Sequence, residues 1–299
     1  MKALNPRPAR EPGKGLFMQS KLRAAALLAV VVTLGTAGTA QVRKEYRYTV
    51  QSHASITVTN DYGPISVTPA QGFTVIVRAT LASNKVEVDQ DQHGNRVDIV
   101  SHLLAGADAD SGRVEYEVQV PSDASVSLHS TSGPLRAEKL NGDVTMEGAN
   151  AAMEVHDISN AHVHLKTLNG PVTLTNIRQG HVEITSVSGD VSLSGVSGPL
   201  VQVNSTSGKI HYDGDFGYSG DYLLTSHTGD IDAIAPSDAS IDVSAHSVKG
   251  AVENDFPLEP KTHLLAPIDK ARAFVGTAGK AASKVVLHTI SGKIRLKTR

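Results

Sequence analysis

Apolar residues in this chain come in pairs separated by one polar residue, and the pairs return at a nearly constant interval. One set starts with Val144 and Met146 and repeats every 19 residues, with first members at Val163, Val182 and Val201. An apolar, polar, apolar sequence is the pattern of a strand with one buried face. A second set shares this pattern, and its first members are Met153, Val172, Val191, Ile210, Ile231, Val252 and Ile294. Each repeat is therefore predicted to contain two short strands.

A Ser/Thr-x-Ser/Thr/Asn-Gly signature lies between the two strands of each repeat. Its glycines at 170, 189, 208, 229, 250 and 292 are 19, 19, 21, 21 and 42 residues apart, and the last gap equals two periods of 21. A fixed period of about twenty residues indicates a solenoid, because each unit must stack on its neighbours to bury its apolar face. We expect an all-β, single-stranded, right-handed β-helix (β-solenoid) with two short strands per 19–21-residue coil, stacked parallel and in register.

Two columns of signature residues are predicted to be structural. Glycine would supply the backbone freedom that the turns need, and the turn glycines are Gly133, Gly142, Gly170, Gly189, Gly198, Gly208, Gly229, Gly250 and Gly292. A hydroxyl three residues before the glycine would bond buried backbone groups at the corner, and this ladder comprises Ser130, Thr167, Ser186, Ser205, Ser226, Ser247 and Thr289. An outward hydroxyl array that matches an ice or sugar lattice is disfavoured, because strand parity from Leu165 points Thr167 inward.

The chain divides into three predicted regions. Residues 1–40 resemble a signal peptide, with basic residues before the apolar run 24–34 and small residues before Gln41. An uncleaved anchor is the alternative, and either Met1 or Met18 could be the start. Residues 41–120 form an N-terminal strand region that caps the solenoid with irregular strands, and 121–299 form the β-helical repeats. The Pro-rich stretch 254–284 is interpreted as an insertion or side loop with a short helix near residues 268–274.

Composition and charge narrow the function classes. Removal of residues 1–40 leaves 22 basic and 29 acidic residues, and a mildly acidic chain argues against a nucleic-acid partner. The chain has no cysteine, which excludes a disulfide framework. We expect an exported protein of the periplasm, cell surface or extracellular space, with no membrane span after signal cleavage.

The ordered set of motifs is specific enough to suggest a family. The strand region with Ile56–Asn60 and Gly63–Val67, the segment Val118–Pro121, the repeated Thr-x-Ser-Gly coils and the ending Val285–Leu296 together resemble the bacterial putative-adhesin family, a domain-of-unknown-function group of β-strand repeats. The resemblance covers most of 41–299. It implies an exported β-helical protein without established catalytic residues, and 254–284 departs from its pattern.

Three clusters could carry chemistry. His162, His164 and His181 fall on one predicted strand face and could approach a zinc or copper geometry, but a flat sheet places them poorly and a solvated polar face is the preferred interpretation. Asp residues that follow turn glycines (Asp143, Asp190 and Asp230) resemble those of calcium-binding β-rolls, but the required Gly-Gly-x-Gly-x-Asp nonapeptides are missing. Alternating charge along Asp190, Lys209 and Asp230 is instead expected to favour in-register stacking. No cofactor or metal is predicted.

The densest acidic cluster surrounds the loop 214–220. Asp213, Asp215, Asp221, Asp230 and Asp232 could serve a glycosidase or polysaccharide lyase, and Tyr212, Phe216, Tyr218 and Tyr222 could stack on sugar rings. The sequence shows no basic partner for these carboxylates. We therefore expect a non-catalytic adhesin or envelope scaffold that contacts an envelope polymer (a polysaccharide) or a protein, with a carbohydrate-active enzyme as the alternative.

Overall fold

The computed structural model describes residues 41–261, 269 and 271–299. The predicted signal peptide 1–40 lies outside the described residues, as does most of the segment 262–270. The described residues form strands and turns and contain no helix.

The strands alternate apolar and polar positions as the sequence predicts, and 25 of them lie in the described residues. The N-terminal strands are β1 (Val42–Thr49), β2 (Ser55–Tyr62), β3 (Ile65–Ala70), β4 (Thr74–Leu81), β5 (Val86–His93), β6 (Arg96–Leu103) and β7 (Val114–Pro121). The central strands are β8 (Ser125–Ser132), β9 (Leu135–Glu138), β10 (Val144–Gly148), β11 (Met153–Ser159), β12 (His162–Thr167), β13 (Val172–Arg178), β14 (His181–Ser186), β15 (Val191–Ser194), β16 (Leu200–Ser205), β17 (Ile210–Asp213), β18 (Asp221–Ser226) and β19 (Ile231–Ala235). The C-terminal strands are β20 (Ile241–Ser247), β21 (Val252–Asn254), β22 (Glu259–Pro260), β23 (Ala273–Ala278), β24 (Ser283–Thr289) and β25 (Ile294–Thr298).

Two parallel-rich sheets enclose one thin core. Strands β8, β10, β12, β14, β16 and β18 are successive neighbours in a 13-stranded sheet, and β9, β11, β13, β15, β17 and β19 are successive neighbours in a 12-stranded sheet. Each coil thus contributes one strand to each sheet. Val163 and Val182 are direct partners in the register, so the interval between them is one coil.

The residues that point between the sheets are fully buried. Leu165, Ile184 and Val203 are at most 1% exposed in one sheet, and Leu174 and Leu193 are 0% exposed in the other. Because like residues stack on like about 4.8 Å apart, each coil buries its neighbour's apolar face. The predicted all-β architecture of stacked two-strand coils is confirmed.

The last coil of the sequence does not lie at the end of the stack. Strand β24 pairs with β18 on one side and with β20 on the other, and β25 lies between β19 and β21. Gly292 therefore stacks on Gly229, and Gly250 stacks on Gly292. The sequence expectation that 229, 250 and 292 follow in that order is wrong. The gap before Gly292 fits two periods, but the spacing does not encode where the intervening segment lies.

The N-terminal end shows the same interleaving. Strand β2 lies between β6 and β8, and β3 lies between β7 and β9, so a coil from early in the sequence separates two later ones. Beyond them, β5 pairs antiparallel with β6, and β4 and β1 extend the other sheet antiparallel. Antiparallel strands thus cover the first parallel coil.

The stretch after β21 forms the opposite cap. Strand β23 pairs antiparallel with β20, and the two-residue β22 pairs with β23. The predicted helix near 268–274 is wrong where that stretch is described, because 271–272 form a turn and β23 begins at Ala273. The β23 side chains pack against the end of the core, as Phe274 does. Capping the final coil favours an extended segment over a helix here.

Within 41–261, 269 and 271–299, no helix has the length and apolarity that a membrane crossing requires.

Candidate functional site

Six of the seven ladder hydroxyls bond to the glycine of their own turn at the first corner of the coil. Ser186 Oγ donates to the Gly189 carbonyl at 2.7 Å, and Ser205 Oγ donates to Gly208 at 3.0 Å. In the copy at Thr167, Oγ1 accepts the Gly170 N–H at 3.0 Å. These side chains are at most 7% exposed, so each hydroxyl satisfies a backbone group that water does not reach. The column points into the molecule and offers no outward lattice.

One member of this column, Ser130, differs from the others. Ser130 Oγ is buried and has no hydrogen-bond partner among the described residues. Its turn glycine, Gly133, has φ 140°, whereas the turn glycines of the other copies do not have positive φ. Gly148 occupies the equivalent position in the next coil, between Ser130 and Thr167, so the ladder is interrupted there.

Close packing between coils explains the turn glycines. The expectation that they supply conformational freedom is wrong at all of them except Gly133. Gly189 does not have a positive φ. A Cβ built on it would meet the Gly170 carbonyl oxygen well inside 3.0 Å, a separation that real Cβ atoms essentially never show. The same clash with the preceding coil recurs at Gly208 and Gly229. Glycine is required because successive backbones touch at this corner.

The second corner has its own repeated feature, which the sequence analysis missed. Lys139, Asp157, Asn176 and Gly195 all have φ between 56° and 62° and occupy corresponding places in successive coils. Asn176 Nδ2 donates to Asp157 Oδ1 at 3.1 Å, one coil away. Asn, Asp and Gly tolerate left-handed backbone better than other residues. The regular spacing of Asp157, Asn176 and Gly195, one repeat period apart, was the available signal.

The three Asp residues that follow turn glycines share one structural role. Asp143, Asp190 and Asp230 each accept a backbone N–H from the next coil through Oδ1, at 2.9, 2.8 and 2.8 Å. The N–H donors belong to His162, Lys209 and Lys293. The contact between Asp190 and Lys209 is therefore a hydrogen bond to the main chain, and the expected charge alternation is not what fixes the register.

The histidines on the face of β12 and β14 have acidic neighbours that the sequence analysis did not find. Glu183 lies 3.5 Å from His164 Nδ1 and 3.2 Å from His181 Nε2, measured from its carboxylate oxygens. The His162 and His181 rings are 4.9 Å apart between centroids. In the part of the chain that the structure describes, no three His, Asp or Glu side chains are arranged to hold a metal ion. The cluster is a polar surface of imidazoles bonded to a carboxylate.

The aromatic residues near the acidic cluster are mostly core. Tyr212, Phe216 and Tyr222 are at most 1% exposed, and the Tyr212 and Phe216 rings stack with centroids 4.3 Å apart. Burial raises the pKa of Tyr222 to about 12 and raises the pKa of Tyr212 well above its ordinary value. The expectation that these three rings could stack on sugars is wrong, and only Tyr218, 52% exposed, remains available. Tyr212 and Tyr222 occupy inward positions of their strands, which the pattern already indicated.

Three residues of the acidic cluster have basic neighbours, contrary to the sequence analysis. Arg295 Nη1 lies 2.6 Å from Asp232 and its Nη2 lies 3.2 Å from Asp230. The hydrogen bond that Arg295 donates to Asp232 raises the pKa of Arg295. Arg299 Nη2 lies 3.0 Å from Asp213. Both arginines come from the interleaved last coil, which is why sequence proximity did not reveal them.

A cleft of about 420 Å³ opens beside this cluster, at the second corner of the coils. Its lining includes two guanidinium groups, from Arg178 and Arg299, together with Asp215, Asn176 and the exposed Tyr218. Asp215 Oδ1 accepts the Gly217 N–H at 3.0 Å. This cleft combines charge, hydrogen-bonding groups and an exposed ring at one place, which makes it the candidate functional site.

Comparison with known proteins gives one family and three solved structures. A family model described as Toastrack DUF4097 matches residues 53–297. No curated protein matches the chain.

The solved structures are described as adhesion proteins. A putative adhesin from Bacteroides fragilis NCTC 9343 aligns with a TM-score of 0.45 at 10% identity, over 86% of this chain and 97% of that chain. A putative adhesin from Parabacteroides merdae ATCC 43184 aligns with a TM-score of 0.39 at 12% identity, over 86% and 96%. A putative cell adhesion protein from Clostridium sporogenes ATCC 15579 aligns with a TM-score of 0.29 at 10% identity, over 86% and 100%. The three TM-scores lie below 0.5, too low to establish a shared fold.

Proposed function

The chain belongs to the Toastrack DUF4097 family, and we propose that it is an exported, non-catalytic protein that binds a polymer of the cell envelope, as an adhesin or scaffold. The observation that carries this proposal is that three carboxylates of the acidic cluster contact arginine side chains. Asp230 and Asp232 bind one guanidinium group, and a second guanidinium group lies 3.0 Å from Asp213 Oδ1. A glycosidase needs two carboxylates that face the scissile bond and are free to exchange protons.

Two carboxylates of the cluster, Asp230 and Asp215, also accept main-chain hydrogen bonds. Asp230 accepts the Lys293 N–H in addition to its ion pair, and Asp215 accepts an N–H of its own loop. A carboxylate that accepts a backbone N–H of the next coil stabilises the stacking of the coils. Its removal is therefore expected to affect stability rather than catalysis. This arrangement favours a binding surface over a hydrolytic site.

The architecture supplies a stiff surface for such binding. Each sheet presents outward side chains in rows about 4.8 Å apart along the stack, and backbone pairing in both sheets holds the rows in place. We further infer that the coil is right-handed, in line with the handedness of parallel crossovers. A repeating surface of this kind suits a repeating ligand such as a polysaccharide.

A glycan array combined with a polysaccharide-hydrolysis screen on the full chain tests the proposal. We expect binding to at least one envelope polysaccharide without release of new reducing ends. Turnover that disappears in Asp230→Asn or Asp215→Asn, in a variant that keeps the melting temperature of the original chain, would establish the carbohydrate-active enzyme instead. An absence of both binding and turnover would refute the polymer ligand.

Export is part of the same proposal and has its own test. The basic and apolar pattern of residues 1–40 supports cleavage before Gln41. We expect fractionated cells that express the full chain to contain a mature form in the envelope or medium, and mass spectrometry should place its N-terminus at Gln41. A full-length form confined to the cytoplasm would contradict export.

A further inference from the structure

One coil is longer than its neighbours, and the extra residues lie beside the cleft. The interval between the second-corner glycines Gly198 and Gly220 is longer than the interval between Gly180 and Gly198. Gly198 and Gly220 nevertheless each pack on the second-corner glycine before them. A Cβ on Gly220 would clash with the Gly198 carbonyl oxygen, and a Cβ on Gly198 would clash with that of Gly180. The additional residues therefore form the loop 214–220 without shifting the stack. In repeat proteins such insertions collect on one face, often the binding face.

The loop has a strained but well-supported backbone. Phe216, Tyr218 and Ser219 have φ of 50°, 62° and 48°, which costs bulky residues free energy. Buried hydroxyls hold this conformation: Tyr212 Oη accepts the Phe216 N–H at 3.2 Å, and Tyr222 Oη donates to the Gly217 carbonyl at 2.8 Å. Such strain persists only where surrounding contacts fix it, and it is concentrated at binding sites.

This backbone conformation buries one aromatic residue of the loop and exposes another. Phe216 is 1% exposed and stacks in the core, whereas Tyr218 is 52% exposed at the cleft. The loop thus presents the large aromatic side chain of Tyr218 to solvent. Its ring offers an apolar face and its hydroxyl a polar end.

The charge of the cleft comes from two separate coils. Arg178 ends β13 and is exposed, and a backbone bridge joins it to Ser197 of the next coil. Arg299 Nη2 lies 3.0 Å from Asp213 Oδ1, which places its guanidinium beside the loop 214–220. A planar guanidinium binds carboxylate, sulfate or phosphate through paired N–H donors. Asn176 and Asp215 add acceptors and donors suited to hydroxyl groups.

We propose that this cleft binds a sugar unit that carries a carboxylate, as in a polyuronate chain. The sugar ring packs on Tyr218, the carboxylate pairs with Arg178, and Asn176 and Asp215 bond the ring hydroxyls. The volume of about 420 Å³ falls within the range of small-ligand sites. This inference rests on the proposed function and assigns its polymer contact to one site.

Binding of the full chain to polygalacturonate, dextran sulfate and neutral dextran, measured by calorimetry, tests the site. We expect polygalacturonate to bind and neutral dextran not to bind. Arg178→Gln and Tyr218→Ala should each weaken polygalacturonate binding by about tenfold or more, because each removes a charge-assisted bond or the stacking ring.

The matched controls are exposed residues that lie away from the cleft. Lys209→Gln makes the same charge change at the first corner, and Phe73→Ala removes an aromatic side chain that is 56% exposed. Both should leave the affinity unchanged. An equal loss in Lys209→Gln would show general charge attraction and overturn the site.

The outcomes separate this inference from the proposed function. Polysaccharide binding that survives both Arg178→Gln and Tyr218→Ala would overturn the cleft and leave polymer binding in place. Tighter binding of dextran sulfate than of polygalacturonate would overturn the choice of a carboxylate. Hydrolysis of any bound polymer would overturn the proposed function itself.

Discussion

Substitution of Gly189 by alanine should destabilise the protein strongly even though the backbone there is not left-handed. The added Cβ would lie against the Gly170 carbonyl oxygen, well inside 3.0 Å. Neither atom can move away by a rotation of a side chain, since both belong to backbones that pair in two sheets. The coils must separate locally, and the adjoining strands β14 and β15 must shift with them.

The expected cost follows from the rigidity of this contact. Overpacking of a well-packed interior costs about 1–3 kcal/mol, and a backbone obstacle places Gly189→Ala near the upper limit, at about 3 kcal/mol. For a domain of this size, 1 kcal/mol shifts the melting temperature by about 2–4 °C. We therefore expect the midpoint to fall by about 6–12 °C.

Gly94→Ala is the matched control. Gly94 has φ 61°, and a Cβ built on it meets no heavy atom within 4 Å. That variant tests left-handed backbone alone and should cost about 1–2 kcal/mol. Urea and thermal unfolding of both variants, followed by circular dichroism, give the comparison. If Gly189→Ala costs no more than Gly94→Ala, close packing between coils is not the reason for the glycine.

Two further predictions concern the hydroxyl ladder and the order of the coils. Ser186→Ala should cost about 1–3 kcal/mol because it leaves a buried carbonyl without its donor, whereas Ser130→Ala should be nearly neutral because its Oγ has no partner among the described residues; equal unfolding midpoints would contradict this. The chain has no cysteine, so two introduced cysteines report directly which strands are neighbours. Replacement of Val286 together with either Leu223 or Ser244 by cysteine should allow a disulfide to form on oxidation. Leu223 and Ser244 lie two coils apart, about 9.6 Å, and a disulfide between them would show that the coils follow the order of the sequence.

The repeat spacing predicted the register of the coils but not the reasons for its repeated residues. The pairing of Val163 with Val182 follows from the constant repeat interval, because parallel in-register stacking places equal offsets side by side. The recurrence of glycine at this interval indicates that the residue at position 189 must be small. It cannot distinguish a left-handed turn from a close backbone contact. Only the position of the Gly170 carbonyl in the neighbouring coil decides that.

The candidate site could be predicted only in part. The excess length of loop 214–220 and its aromatic residues are visible in the sequence, and strand parity places Tyr212 and Tyr222 inside. The pairing of Arg295 with Asp232 is not visible, because 63 residues separate them and the spacing suggested a different coil as neighbour. Exposure of Tyr218 rather than Phe216 depends on backbone torsions that no periodicity encodes.

The interleaved last coil has a consequence for how the chain reaches its native state. Strands β24 and β25 separate β18 and β19 from β20 and β21, so a stack assembled strictly from the N-terminus would leave a vacant layer until the final residues arrive. The chain therefore cannot complete its C-terminal cap coil by coil in the order of the sequence. The coil of β24 and β25 must therefore be in place before the strands β20 and β21 can pair with the rest of the stack.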